Sequence, residues 1–272
     1  MRLVAIVWRA DIPLLRRACE ALQIDLVAWS REDLRERLDE CLKSLERADF
    51  VLLHPSHEDA WSAVEVALEK IHVPAVAVGY DASLWSLSNV KPEVVATANA
   101  YFVKGGYENV LNMLKFLVSE ILGRDEWKYE PPKEEKWQGF YHPDAESVFG
   151  SIKDYLSWYA TRSQGSKGQK RAASDVMERK PRVGILFYRT YFLNEDLEVV
   201  DALIREFERQ GFAVISAFCT GMGDKEAGAK TSGEVIEEFV GKVDALVNLQ
   251  PVFLATVEGA VSVLKKLDVP VF

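Results

Sequence analysis

Short apolar runs alternate with amphipathic stretches along the first 123 residues of the chain. The runs are rich in β-branched and aromatic residues, which is typical of strands, and the stretches between them repeat apolar residues at three- and four-residue spacing, which is typical of helices. Strands covered on both faces are apolar along their whole length, so this pattern predicts a fivefold βα repeat around a doubly wound parallel sheet. The predicted strands are 3–8, 24–29, 50–54, 73–78 and 98–103.

The end of this first α/β unit is marked by a helix predicted at 109–122. Gly123 follows the last apolar position of that helix, and glycine commonly ends helices because it adopts the left-handed conformation without steric conflict. We therefore predict that residues 1–123 form a flavodoxin-like α/β head.

A different pattern occupies residues 124–180. Residues 125–136 are charged and include Pro131–Pro132, which predicts an extended connector because proline cannot sit inside a helix. The segment 137–144 is too rich in bulky side chains to be a simple flexible linker. Its sequence is Trp-Gln-Gly-Phe-Tyr-His-Pro-Asp. Apolar residues on one face predict a helix at 151–160, and the Ser-, Gly- and Lys-rich segment 161–178 predicts a mobile loop.

The alternation of strands and helices resumes at Pro181 and continues to the end of the chain. In chain order, the predicted strands and helices are 183–188, 194–210, 213–218, 232–240, 245–249 and 254–267. A further strand starts at 269–272, so we expect the second lobe, 181–272, to be truncated. The predicted fold is α/β, with two Rossmann-like (flavodoxin-like) parallel-sheet lobes joined by an aromatic-rich connector.

Composition and charge narrow the class of protein. The 272-residue chain is 49% hydrophobic and 28% charged, a balance typical of a globular protein long enough for two domains. Its formal charge of −9, without a basic cluster, argues against nucleic-acid binding. No apolar run approaches the roughly 20 residues that span a bilayer, and no signal peptide is recognisable, so we expect a cytoplasmic protein that does not bind membranes. Cys19, Cys41 and Cys219 are far apart, which predicts reduced core residues.

Candidate ligand-binding residues fall at the carboxyl ends of the second lobe's strands, where open parallel sheets bind ligands. Arg189 follows one strand and can pair with a carboxylate in a forked geometry, while Asn248 and Gln250 supply amides at the end of another. From spacing alone, the slightly favoured alternative is that Arg189 is solvated or forms a salt bridge with Glu195 or Asp196.

Other candidate sites give weaker signals. His54 and His57 could belong to a metal site, although two histidines without a third ligand are more often capping or surface residues. The glycine pair 105–106 could bind an anion or form a tight turn. The segment 223–231 lacks the spacing of a phosphate-binding loop, so nucleotide binding is not predicted. His142 is expected to form a structural hydrogen bond rather than to act in catalysis.

Five motifs form an ordered series between residues 101 and 272. They are Tyr-Phe-Val-Lys-Gly-Gly-Tyr-Glu-Asn-Val-Leu-Asn-Met-Leu from 101, Gly-Phe-Tyr-His-Pro-Asp from 139, Arg-Val-Gly-Ile-Leu-Phe-Tyr-Arg from 182, Val-Asp-Ala-Leu-Ile-Arg-Glu-Phe-Glu-Arg-Gln-Gly from 200, and Asp-Ala-Leu-Val-Asn from 244 followed by Leu-Asp-Val-Pro from 267. In order and spacing, this series resembles the amino-terminal part of the large subunit of cobalt and magnesium chelatases, the CobN type. The first hundred residues fit only as a compatible α/β head.

The resemblance implies a protein that binds a tetrapyrrole, either a corrinoid precursor or a porphyrin. It also implies that Co²⁺ or Mg²⁺ is the substrate of a larger complex, that ATP acts through partner ATPase subunits, and that this segment itself binds no cofactor. Members of that family continue far beyond this point, so the metal-handling groups are expected beyond residue 272. This chain alone, either a truncated copy or a short relative, is not expected to catalyse metal insertion.

Two hypotheses of function follow. In the first, the chain is a chelatase segment in which Tyr141, His142, Arg189, Asn248 and Gln250 contribute to the macrocycle cavity or to docking of the rest of the subunit. In the second, it is a stand-alone binding module whose two lobes hold a small anionic ligand or a partner protein. Neither hypothesis assigns a catalytic or metal-ligating residue to this chain.

Overall fold

Each of the two units into which the chain divides is built around its own β-sheet. The computed structural model describes residues 1–164, 180–250 and 260–272. The first unit consists of Met1–Glu135 with Leu193–Glu195, and the second of Lys136–Phe192 with Asp196–Phe272. Most of the loop predicted at 161–178 and the beginning of the helix predicted at 254–267 lie outside the described residues.

The first unit contains a four-stranded sheet in which all neighbouring strands are parallel. Its strands are β1 (Arg2–Val7), β2 (Asp25–Ser30), β3 (Phe50–Leu53) and β4 (Ala75–Ala77). The order across the sheet is β2-β1-β3-β4, with Leu3 of β1 opposite Leu26 on one side and Phe50 on the other. The chain leaves β1 toward one side and later returns to the other, which is the doubly wound arrangement.

Helices cover both faces of this sheet. They are α1 (Ile12–Ala21), α2 (Arg31–Glu36), α3 (Leu38–Leu45), α4 (Ala60–Ile71), α5 (Pro92–Lys104) and α6 (Tyr107–Leu122), with 3₁₀ turns at Arg9–Asp11 and Ala82–Leu87. Successive strand residues point to opposite faces, so Leu3 and Ala5 pack with α1, α5 and α6, whereas Val4 and Ile6 pack with α2, α3 and α4.

The segment 98–103 is part of helix α5, and the prediction of a strand there is wrong. Pro92 occupies the first turn of α5, where its missing N–H is tolerated. The residues that α5 buries, three to four apart, are Val94, Val95, Ala98 and Tyr101. A short apolar run does not by itself distinguish a strand from a buried helix, and the first sheet therefore has four strands rather than five.

Residues 124–135 pack against the first unit without forming a helix or a strand. Two asparagines of α6 hold this extended segment. The Oδ1 atom of Asn112 accepts a hydrogen bond from the backbone nitrogen of Glu130 over 3.1 Å, and that of Asn109 accepts one from Lys133 over 2.9 Å. The charged part of the predicted connector is therefore attached to the first unit.

The second unit contains a mixed sheet in the order β10-β6-β7-β5 and a separate β8-β9 hairpin. Their strands are β5 (Gly139–Tyr141), β6 (Arg182–Tyr188), β7 (Ala213–Cys219), β8 (Met222–Asp224), β9 (Ala229–Thr231) and β10 (Ala245–Asn248). Strands β10, β6 and β7 are parallel, but β5 is antiparallel to β7. The α/β class is confirmed, whereas the prediction of a wholly parallel second sheet is wrong because the aromatic segment contributes an antiparallel edge strand.

The helices of the second unit also lie on both faces of its sheet. They are α7 (Ile152–Gln164), α8 (Arg189–Leu193), α9 (Glu198–Arg209), α10 (Ser232–Phe239) and α11 (Ala260–Leu267). One core joins the sheet to α7, α10 and α11, and the other joins it to α8 and α9. The strand predicted at 269–272 is present as a single parallel bridge between Val271 and Leu246. Across the described ranges, no helix is both long enough and apolar enough to cross a bilayer.

The three cysteines, Cys19, Cys41 and Cys219, are free and buried. Burial raises the pKa of Cys19 and of Cys41 to about 12, so both thiols stay protonated at neutral pH. The prediction that the cysteines lie in the core is confirmed.

Gly139 permits the close packing of β5. A Cβ atom at this position would lie 2.3 Å from Cγ1 of Val148 and 3.2 Å from the carbonyl oxygen of Phe149. We expect Gly139→Ala to lower the free energy of unfolding of the second unit by about 1–3 kcal/mol in urea denaturation, because the added methyl group overpacks the site. Gly150→Ala is the matched control, since a Cβ atom there meets nothing within 4 Å. Equal effects of the two substitutions would contradict the packing argument.

Candidate functional site

The carboxyl ends of β6 and β10 meet at the switch point of the second sheet. From β6 the chain crosses to β7 on one side and later to β10 on the other, and ligands of doubly wound sheets bind where the connections diverge in this way. Arg189 directly follows β6, and Asn248 is the last residue of β10. Two of the five predicted site residues therefore lie at the carboxyl ends of adjacent strands, at one edge of the sheet.

Arg189 is buried, so the alternative of a solvated side chain is wrong. The residue is 2% exposed, and its Nε atom donates a hydrogen bond to the carbonyl oxygen of Lys136 over 2.9 Å. Its guanidinium carbon lies 4.1 Å from the centroid of the Trp137 ring, within the range of a cation–π interaction. Glu195, one of the two carboxylates considered as a salt-bridge partner of Arg189, pairs with Arg17 over 2.5 Å. The segment that leads into β5 therefore covers Arg189, which only the folded chain could reveal.

Gln250 belongs to a buried polar cluster at the same edge of the sheet. Its Oε1 atom accepts a hydrogen bond from the hydroxyl of Ser232 over 2.6 Å, and its Nε2 atom donates to Sγ of Cys219 over 3.1 Å. Burial raises the pKa of the Cys219 thiol. The backbone N–H of Gln250 donates to Oδ1 of Asn248 over 3.2 Å, which orients that amide. The structure thus brings Asn248 and Gln250 into direct contact.

Tyr141 and His142 lie elsewhere in the second unit. Strand β5 runs antiparallel to β7 with Tyr141 opposite Ser216, so the chain at His142 heads away from the carboxyl ends of the parallel strands. The hydroxyl of Tyr141 donates to Oδ1 of Asp201 over 2.9 Å. Burial, together with this carboxylate, raises the pKa of Tyr141. The structure therefore does not place these two residues with the other three.

His142 takes part in a buried network around Glu208. The backbone N–H of Asp144 donates to Nδ1 of His142 over 3.1 Å, so Nε2 carries the proton and donates to Glu208 over 3.2 Å. Tyr159 and Arg162 donate to the same carboxylate over 2.8 and 2.6 Å. Burial opposes the charge of Glu208, but these donors outweigh it and hold its pKa well below the usual value. The predicted structural hydrogen bond of His142 is confirmed.

A second group of aromatic and polar residues occupies the carboxyl edge of the first unit's sheet. Trp8 directly follows β1 and His54 directly follows β3, the two strands that flank the switch point of that sheet. Nδ1 of His54 lies 2.8 Å from Oδ2 of Asp11. The Trp8 ring stacks on the imidazole with 4.7 Å between centroids and 8° between planes. Sequence analysis missed Trp8 and Asp11, although Trp8 ends a predicted strand and Asp11 lies three residues beyond it, which was a usable signal.

The two histidines considered for a metal site are held by different carboxylates. His54 bonds to Asp11, whereas Nε2 of His57 lies 2.7 Å from Oδ2 of Asp81. Within residues 1–164, 180–250 and 260–272, no group of three or more His, Cys, Asp and Glu side chains is arranged to hold a metal ion. The exposed His57 fits the alternative of a surface residue, whereas His54 is buried and bonded to the Asp11 side chain, which the alternative of a capping or surface residue did not predict.

The glycine pair considered for anion binding forms a turn, and the segment rejected as a phosphate-binding loop forms a hairpin. Gly105 and Gly106, with φ of 69° and 83°, connect helix α5 to helix α6, so no strand precedes them. The 223–231 segment lies in the antiparallel β8-β9 hairpin, and Thr231 caps α10 by accepting a hydrogen bond from the backbone nitrogen of Glu234. Neither segment has the strand-loop-helix arrangement of a phosphate-binding loop.

Comparison with known protein sequences identifies related chains. The family model described as CobN/Magnesium Chelatase matches residues 99–272. An uncharacterized protein of Methanocaldococcus jannaschii is 26% identical over 292 aligned residues, which cover 100% of this chain and 21% of that protein. A magnesium-chelatase subunit of Rhodobacter capsulatus is 30% identical over 180 residues, which cover 62% of this chain and 13% of that protein.

A solved structure shares the fold. The catalytic subunit of cobaltochelatase from Mycobacterium tuberculosis aligns with a TM-score of 0.54 and 21% identity, covering 91% of this chain and 18% of that chain. This chain therefore spans about a fifth or less of the length of these proteins. The family match includes every residue of the second unit and all five motifs of the ordered series, as the resemblance predicted. The chain belongs to the CobN/magnesium chelatase family.

Proposed function

We propose that this chain is a tetrapyrrole-binding segment of the large subunit of an ATP-dependent metal chelatase. The observation that supports the proposal is the family match over residues 99–272. Co²⁺ or Mg²⁺ is then the metal substrate, and the macrocycle is a corrinoid precursor or a porphyrin. ATP acts through partner ATPase subunits, and the complex works in the cytoplasm.

Metal insertion into a tetrapyrrole has two physical requirements. The ion must lose water ligands, and two pyrrole nitrogens must lose their protons, so the site must exclude water and provide proton acceptors. Asn248 at the switch point of the second sheet offers an amide to the polar groups of a macrocycle, and the buried Arg189 holds the segment of Lys136 and Trp137 beside it. We therefore assign binding to this chain and place the metal-handling groups in the remainder of the large subunit.

Titration of the purified chain with a metal-free porphyrin and with a cobyrinate derivative tests this proposal. We expect saturable changes in the visible absorbance of the macrocycle and quenching of tryptophan fluorescence. Trp137 is a suitable reporter because its ring lies against Arg189. A chain that responds to neither macrocycle would refute tetrapyrrole binding.

The variant Arg189→Lys tests the role of the guanidinium in the same titration. An ammonium group keeps the charge but loses the Nε hydrogen bond to Lys136 and the planar stacking on Trp137, so the segment that covers it shifts and we expect affinity to fall about tenfold. Arg182→Lys is the control, because Arg182 begins the same strand and lies at its opposite end. If Arg189→Lys keeps the affinity of the unmodified chain, Arg189 does not position the binding site.

A further inference from the structure

The first unit's sheet closes one of its two edges with its own side chains. At strand β4, which forms this edge, the backbone N–H groups of Ala75 and Ala77 donate hydrogen bonds to the side chains of Asn89 and Ser88 over 2.7 and 2.8 Å. These two side chains occupy the positions that a further strand would take. A second sheet therefore cannot pair with β4 without displacing them.

The opposite edge is strand β2, and its backbone is open. The N–H of Asp25 donates to the carbonyl oxygen of Met1 over 2.9 Å, so the backbone groups of Asp25 face β1. Alternate residues of a strand direct these groups to opposite sides, so those of Leu26 and Ala28 face away from β1. Among the strands that the structure describes, only β1 pairs with β2. The outward N–H and C=O groups of β2 therefore have no strand partner.

A groove lies beside β2, between this strand and the outer side of helix α3. It has a volume of about 520 Å³, and Val27 from the middle of β2 lines it together with Glu40, Lys43, Ser44 and Arg47. Val27 is half-buried, whereas the three charged side chains are exposed. The open strand edge is thus flanked by an apolar contact surface and by charges of both signs.

The charges at the two ends of this groove have opposite signs. Glu40 lies toward the carboxyl end of β2, because it bonds to Arg37 over 2.6 Å and the guanidinium carbon of Arg37 lies 4.8 Å from the centroid of the Trp29 ring. Arg47 lies toward the amino end. Two residues later, the N–H of Asp49 donates over 2.9 Å to the first residue of β1, and the first residues of β1 and β2 are paired.

We propose that β2 is a dimerisation edge, which pairs with β2 of a second copy of this chain across a two-fold axis at Val27. Such an axis makes the two strands antiparallel and places Leu26 of one copy opposite Ala28 of the other. The two residues of each such pair exchange both of their N–H···O bonds. The outward groups of β2 are then satisfied, and the two parallel sheets join into one continuous sheet.

Charge complementarity identifies a second copy as the occupant of this edge. The two-fold axis reverses the groove end for end, so Glu40 of each copy faces Arg47 of the other. A strand of uniform charge from a different protein would set one of these two side chains against its own sign, and like charges opposed across an interface weaken association. The pairing needs no macrocycle, so it is independent of the proposed function.

Sedimentation equilibrium of the full chain without a macrocycle tests the pairing. At micromolar to sub-millimolar concentrations, we expect the mass to rise toward twice that of the chain. Ala28→Pro removes an outward N–H and places a ring on the edge, so this variant should remain a monomer. Proline is tolerated in an edge strand where the N–H faces away from the sheet, and circular dichroism and the melting temperature check that the variant is folded.

A charge exchange tests the two-fold arrangement without altering the strand. Arg47→Glu sets two carboxylates against each other at both ends of the groove, and we expect the dissociation constant of the dimer to rise about tenfold. Adding Glu40→Arg to this variant reverses both signs and should restore the original dissociation constant. Lys70→Glu is the control, since it makes the same charge change at an exposed position of helix α4 and should leave the dimer unchanged.

The measurements give outcomes of opposite meaning. A chain that stays monomeric over the whole concentration range refutes the pairing, and so does a dimer that a folded Ala28→Pro variant or Arg47→Glu leaves intact. If Ala28→Pro does not fold, the charge exchange decides. Weakening by Arg47→Glu, recovery in the double variant and no effect of Lys70→Glu together support a dimer formed through β2.

Discussion

Replacing Tyr155 with alanine is expected to lower the free energy of unfolding of the second unit by about 3–5 kcal/mol. Tyr155 is fully buried in helix α7, and its ring packs against Phe140 of β5 and against Phe149. Its hydroxyl donates a hydrogen bond to the carbonyl oxygen of Val214 over 2.9 Å. Alanine would remove the ring and leave a cavity between α7 and the sheet. It would also remove the hydrogen bond that the carbonyl oxygen of Val214 accepts from the tyrosine hydroxyl. Urea denaturation followed by tryptophan fluorescence measures the change.

The variant Tyr155→Phe separates the ring from the hydroxyl. It keeps the ring packing and should lower the free energy of unfolding by only about 1 kcal/mol, the net contribution of one hydrogen bond. Lys153→Ala, at an exposed position of the same helix, should change it by less than about 0.5 kcal/mol. If Tyr155→Ala and Tyr155→Phe have the same effect, the hydroxyl rather than the ring is responsible.

Replacing Glu208 with alanine is expected to lower the free energy of unfolding by about 3 kcal/mol, because it leaves buried donors without their acceptor. The carboxylate accepts hydrogen bonds from His142, Tyr159 and Arg162, and its side chain is 16% exposed. Glu206→Ala is the matched control on the same helix, since its side chain is 54% exposed and pairs with Arg209. Such a surface ion pair contributes about 0–1 kcal/mol.

The stabilisation by Glu208 depends on pH in a defined direction. Its pKa in the folded protein is below the ordinary carboxyl value, so the folded state favours the ionised form. This contribution is fully present above the unfolded-state pKa and declines as the pH falls below about 5. The difference in stability between the unmodified chain and Glu208→Ala should therefore shrink between pH 7 and pH 3. A difference that stays constant would mean that the charge of Glu208 is not what stabilises the network.

Local sequence patterns predicted the central elements of the fold well. The strands predicted at 183–188 and 213–218 correspond to β6 and β7, and helix α6 ends at Gly123, whose φ of 64° is left-handed. These elements are determined by their own residues, through continuous burial or a helix-ending glycine. The strand predicted at 98–103 failed because its apolar run is also one face of a helix that begins upstream, at Pro92.

Features that depend on contacts between distant segments were beyond sequence reasoning. Strand β5 is too short to show a strand pattern, and it exists because Phe140 pairs with Ala217 of β7. The burial of Arg189 comes from Lys136 and Trp137, more than fifty positions earlier in the chain. Arg189 and Asn248 were expected at one edge of the sheet because parallel strands end there together. The sequence near these two residues could not show which other segments cover them.

The antiparallel edge strand sets where the second unit can be separated for study. A fragment that starts at Pro181, where the strand–helix alternation resumes, would lack β5 and leave the backbone N–H and C=O groups along one side of β7 unpaired. Unpaired strand edges recruit other chains and promote aggregation. An expression fragment of this unit should therefore start at Lys136, so that the aromatic segment is present to close the sheet.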